Sequence, residues 1–134
     1  MKINDVKEWL QIADEDIYSA NFLNTSPRKP NEIICYHCAQ ATEKYLKGFL
    51  AFNDVIPEKT HNLLFLLELC IKINHDFEEI RTECSILNRY NNEVRYPHRI
   101  EITDDDVNYS IMAVEKIKNI ESIREMIKSI NEYI

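Results

Sequence analysis

The chain has 134 residues, 45% hydrophobic and 29% charged, with 23 acidic against 16 basic side chains and a net charge of −7. That length fits one domain (residues 1–134) with its own core, and the composition excludes a disordered chain. The single glycine excludes phosphate-cradling loops and dinucleotide-binding turns, and the acidic balance leaves nucleic-acid binding to a local basic patch.

The first segment, Ile3 to Leu23, places Val6, Trp9, Leu10, Ala13, Ile17 and Ala20 at spacings of three and four, one stripe of a helix. Asn24 to Pro30 reads as a loop, with Pro30 suited to the first turn of the next helix. A second helix is expected over Asn31 to Phe52, carried by Ile34, Cys38, Ala41, Tyr45 and Phe49. Gly48 inside it marks the close approach of another backbone, since glycine otherwise weakens a helix by about 1 kcal/mol.

After Pro57, Thr60 is expected to cap a third helix, His61 to Asn74, whose nearly continuous apolar character predicts a central position. A fourth helix, from Asp76 through Phe77, Ile80, Cys84 and Leu87 into Tyr90, is expected to stop before Pro97, because the residue preceding a proline is pushed out of α space. Thr103 can cap a fifth helix. The run Asp104-Asp105-Asp106 then lies at the positive end of its dipole and reads as capping, not as a metal site. The stripe from Val107 to Ile134 carries that helix to the chain end. Five helices and no strand predict an all-α, antiparallel up-and-down bundle of four to five helices.

No stretch approaches the roughly 18 apolar residues of a membrane span, and helical patterning begins at the N-terminus. The expectation is a cytoplasmic protein without a membrane association. Cys35 and Cys38 form a Cys-x-x-Cys, but they lie in an apolar helical run without the second close pair of a zinc ribbon. Together with Cys70 and Cys84 they read as buried thiols, and neither metal nor cofactor is expected.

Gln40, Glu43, Lys44 and Lys47 fall at i, i+3, i+4 and i+7 and share one face of the second helix. By themselves they describe a solvated face with a Glu–Lys pair, worth a few tenths of a kcal/mol. Their context says more. The string from His37 to Leu50, with His37-x-x-Gln40-Ala41-x-Glu43-Lys44-x-Leu46-Lys47, resembles the second-helix signature of the HEPN family (higher eukaryotes and prokaryotes nucleotide-binding). Thr60-His61-Asn62-Leu63 matches the turn that comes next in that family, and Leu87, Tyr90 and Arg95-Tyr96-Pro97 match its next element in order and spacing.

The resemblance implies a helical bundle, commonly a homodimer, often encoded beside a minimal nucleotidyltransferase as a toxin–antitoxin-like pair. The expected role is a non-catalytic subunit that binds a nucleotide or its partner protein through Gln40, Glu43, Lys44, Lys47, Tyr90, Arg95 and Tyr96. A second branch of the family consists of metal-independent endoribonucleases with an Arg-x4–6-His motif, in which arginine stabilises phosphate charge and histidine moves a proton. That spacing is absent here; the nearest arrangement is Arg95-Tyr96-Pro97-His98. An RNA-cleaving toxin would have to use Arg95 with His98 or His61. A third alternative is a purely structural dimerisation bundle.

Three side chains also carry structural expectations of their own. His37 reads as a satisfied, partly buried imidazole, and His61 as a residue bonding the start of the third helix. Arg95 needs an acid, a carbonyl or a phosphate, and Glu43 is its expected internal partner.

Overall fold

The computed structural model describes residues 1–92 and 101–132, the side chain of Asn92 excepted. Six α-helices and one 3-10 turn fill it: α1 (Ile3–Asn24), α2 (Asn31–Phe52), α3 (Leu63–Ile73), the turn His75–Ile80, α4 (Arg81–Asn92), α5 (Asp104–Lys118) and α6 (Glu121–Asn131). No strand occurs among the described residues. The all-α bundle expected from periodicity is the fold.

The first two helices lie where the apolar stripes put them. Thr25 and Ser26 end α1 by donating their hydroxyls to the carbonyls of Phe22 and Leu23, both at 2.7 Å, and Pro30 is the N-cap of α2. Gly48 is where α1 comes close: a Cβ there would stand 3.3 Å from the Cβ of Trp9. The absent side chain lets the two long helices pack along their length.

The centre of the bundle is α2, not α3. Thirteen of its residues are buried, and α1, α3, α4, α5 and α6 all pack on it. The apolar α3 buries Leu63, Leu66, Leu67, Cys70 and Ile71 but leaves Phe65 and Ile73 exposed, so it lies at the edge. Continuous hydrophobicity was a poor guide here because α2 fills its outer positions with small or paired polar groups that can also be buried, such as Ala39, Thr42 and Glu43.

Three boundaries differ from the sequence reading. Asn62 caps α3, accepting from the amides of Leu64 and Phe65, while Thr60, two residues earlier, accepts from the amide of Asn62. The fourth helix opens as a 3-10 turn because the Asn74 side chain accepts from the Asp76 amide and starts the chain one turn early. The expected fifth helix is two. Asn119 donates its side-chain amide to the Glu115 carbonyl at 2.7 Å, competing for a helical acceptor, and Ile120 is extended before α6 begins. Ile117, Ile120 and Ile123 stay buried across the break, which is why periodicity did not reveal it.

Thr103 caps α5 as expected, in a full capping box with Asp106, and Asp104 accepts from Asn31 at 3.1 Å. The expected stop before Pro97 lies outside the described residues.

Candidate functional site

A single carboxylate organises the polar face of α2. Glu43 is 1% exposed, and both of its oxygens are occupied. Oε2 accepts from Lys44 Nζ at 3.1 Å and Lys47 Nζ at 3.2 Å. Oε1 accepts from His61 Nδ1 at 2.9 Å and Asn91 Nδ2 at 3.3 Å. Burial pushes the Glu43 carboxyl up, but the His61 hydrogen bond and the two ammonium groups outweigh it and hold the group below the usual carboxylate range.

The contacts close into a ring. Lys44 Nζ donates to Gln40 Oε1 at 2.8 Å, Gln40 Nε2 donates to Asn91 Oδ1 at 2.9 Å, and Asn91 returns to Glu43. Asn91 Nδ2 also donates to the His61 carbonyl at 3.0 Å, so one amide ties α4 to both α2 and the approach to α3. Asn88, one turn earlier on α4, accepts from the Leu63 amide at 2.8 Å. The four residues Thr60-His61-Asn62-Leu63 therefore serve in turn as loop brace, carboxylate contact, helix cap and core anchor.

This face is not the solvated one that the spacing alone described. Lys47 is 6% exposed and lies 5.5 Å from the centroid of the Trp9 ring, an ammonium shared between a carboxylate and an indole face. Lys44 is only partly exposed. Breaking a pair of this kind leaves an uncompensated buried charge.

The expected site residues divide between the ring, the core and the undescribed segment. Gln40, Glu43, Lys44 and Lys47 come together with His61, and the bond of His61 runs to Glu43 and not to the start of α3. Tyr90 is 2% exposed, in the core, with its hydroxyl turned to Cys35 and Ser110 and its ring beneath Arg89; burial pushes its hydroxyl up to about 12. It belongs to the packing of α2 and α4 against α5, apart from the Glu43 ring. Arg95, Tyr96 and His98 lie outside the described residues, and so does the expected Arg95–Glu43 contact. Asn88 and Asn91 were missed, because an asparagine at the end of a helix carries no motif of its own.

His37 is a satisfied, partly buried imidazole, its Nδ1 2.9 Å from Asp16 Oδ1, and burial pushes the Asp16 carboxyl up. All four cysteines are buried, and burial raises every thiol, Cys38 and Cys84 up to about 12. Buried thiols held this far from ionisation are poor nucleophiles.

A model of the HEPN domain matches residues 6–127. The chain belongs to the HEPN domain family. Its fold is similar to the crystal structure of TT1696 from Thermus thermophilus, with a TM-score of 0.73 at 22% identity over 92% of this chain and 98% of that one. No curated protein matches this chain. The HEPN match runs through the Glu43 ring and the segment that carries Arg95 and Tyr96.

Proposed function

We propose that this HEPN chain is a non-catalytic subunit, in the sense that it lacks the family's arginine–histidine ribonuclease chemistry. It binds a nucleotide or a partner protein, and it works with a separate minimal nucleotidyltransferase in a toxin–antitoxin-like pair in the cytoplasm, itself a homodimer. The supporting observation is the closed ring through Gln40, Glu43, Lys44 and Asn91. It fixes α2, the approach to α3 and the end of α4 against one another, directly before the segment that carries Arg95 and Tyr96. Two lysines enclosed with one carboxylate give this face a positive bias that suits a phosphate or an acidic loop, while the molecule as a whole is acidic. The missing Arg-x4–6-His spacing favours binding over the family's ribonuclease chemistry.

The test is co-expression with a neighbouring gene product that carries a Gly-Ser-x10–12-Asp-x-Asp pattern, followed by size-exclusion chromatography and a thermal-shift series with ATP. A stable complex, or a melting shift with ATP, that Lys44→Ala and Arg95→Ala weaken at least tenfold is expected. Neither complex nor shift would remove the proposal.

A further inference from the structure

The break between α5 and α6 opens a cavity that shares no residue with the Glu43 ring. Ile120 is extended at the break, and α6 turns back to pack on α1 and α2. The space left between α1 and the α5–α6 junction is about 800 Å³, inside the roughly 300–1,000 Å³ of small-molecule sites. Leu10, Tyr45, Ile127 and Ile130 give it an apolar floor, and Tyr18 stands at its side, 69% exposed and stacked on Phe22. The polar groups at the floor are spent on one another. Tyr45 donates its hydroxyl to Asp14 at 3.0 Å, and Lys118 Nζ lies 3.7 Å from the same carboxylate oxygen. The floor therefore offers a ligand apolar contact only, and Asp14 is matched in charge.

Through Lys118, Ile127 and Asn131 the cavity adjoins a second recess of about 490 Å³. Three cations line that recess, Lys118, Arg124 and Lys128, against one anion, Glu132. Arg124 and Lys128 form no ion pair with any described residue, although Glu121 and Glu125 precede them by three positions on α6. A scattered surface cation needs no ligand. Cations converging beside an apolar wall concentrate positive potential where the body of a ligand can also be held. In a chain of net charge −7, that convergence selects for an anion. We infer that this cavity binds a small organic anion. Its apolar, ring-sized body rests on Leu10, Ile127 and Ile130 against Tyr18, and its carboxylate, sulfonate or phosphate head meets Lys118, Arg124 and Lys128. The site goes beyond the binding proposed for the Glu43 face, and either can fail alone.

The probe is 1-anilinonaphthalene-8-sulfonate, titrated by fluorescence against the full chain at pH 7, with its uncharged analogue N-phenyl-1-naphthylamine as the control. One dye per chain is expected, with isoleucine-methyl NMR shifts at Ile127 and Ile130 and none at Ile56 and Ile73, which are exposed elsewhere. Arg124→Gln and Lys128→Gln should each weaken the sulfonate about threefold, and about tenfold together, without moving the Kd of the uncharged dye. Tyr18→Ala should weaken both dyes about fivefold. All three side chains are exposed, so the variants fold. The inference is overturned by an absence of saturable binding, by methyl shifts at Ile56 or Ile73 in place of Ile127 and Ile130, or by a double variant that loses nothing or loses both dyes equally. Dye released as the chain concentration rises, the result of a second copy covering the groove, overturns it as well.

Discussion

Replacing Glu43 with glutamine tests whether a buried charge holds three segments of the bundle together. The substitution keeps the side chain's shape and leaves Lys47, 6% exposed, with its carboxylate gone. Removing one partner of a buried ion pair costs about 3–5 kcal/mol, because the remaining charge stays desolvated and unpaired. Lys44 keeps Gln40 as an acceptor and Lys47 keeps the Trp9 face, which places the expected loss at the lower end, about 3 kcal/mol. An unfolding entropy of about 2.1 cal/mol/K per residue gives about 280 cal/mol/K for this chain, so that loss lowers Tm by roughly 11 °C.

Urea unfolding followed by circular dichroism at pH 7 measures the free energy, and scanning calorimetry measures Tm. A second variant makes the reasoning strict. Lys47→Met alone removes an ammonium that Glu43 needs; the double variant removes both charges and is expected to lose clearly less than the two single losses added together. A Glu43→Gln variant within about 0.5 kcal/mol of wild type, the error within which independent effects add, would refute the claim that the carboxylate carries these contacts.

Three further outcomes rest on the same structure. Glu43 has its folded-state pKa below the ordinary carboxylate value, so its stabilisation is present above that value and is lost as pH falls through the depressed one; urea midpoints between pH 6 and pH 3 should drop less in Glu43→Gln, with the raised Asp16 working in the opposite sense. Gly48→Ala gains about 1 kcal/mol of helix propensity but sets its methyl 3.3 Å from the Cβ of Trp9, an atom fixed to the α1 backbone; a net loss of about 1 kcal/mol is expected by chemical denaturation, and a stabilised variant would show that the α1–α2 contact can relax. Thr103→Ala removes the capping box of α5 and should cost about 1 kcal/mol, read as a Tm drop of about 4 °C.

What the sequence disclosed, and what it hid, divides along the range of the interactions. The α2 span was legible to the residue because a helix reads out its own chain at intervals of three and four, and Gly48 announced the α1 contact because a single glycine in such a stripe has few other uses. The α5–α6 break was hidden by the same rule: Ile117, Ile120 and Ile123 remain buried while the backbone between them is not helical, so the apolar stripe continues where the hydrogen bonds do not. The site was legible only in part. The spacing of Gln40, Glu43, Lys44 and Lys47 fixed which residues share a face, but a charge run looks the same whether water or another helix covers it. What decides the matter is Asn91, 48 positions beyond Glu43, closing the ring from α4 and bringing the His61 carbonyl with it. No local pattern encodes an asparagine amide whose acceptors lie on two other segments. Its signal is geometric: helices α2 and α4 side by side, with the residue one turn past Leu87 aimed at the buried carboxylate. On this account an ionised side chain can be placed in the interior of an acidic protein because its donors arrive from three separate segments, and the ring is a property of the assembled bundle and not of α2.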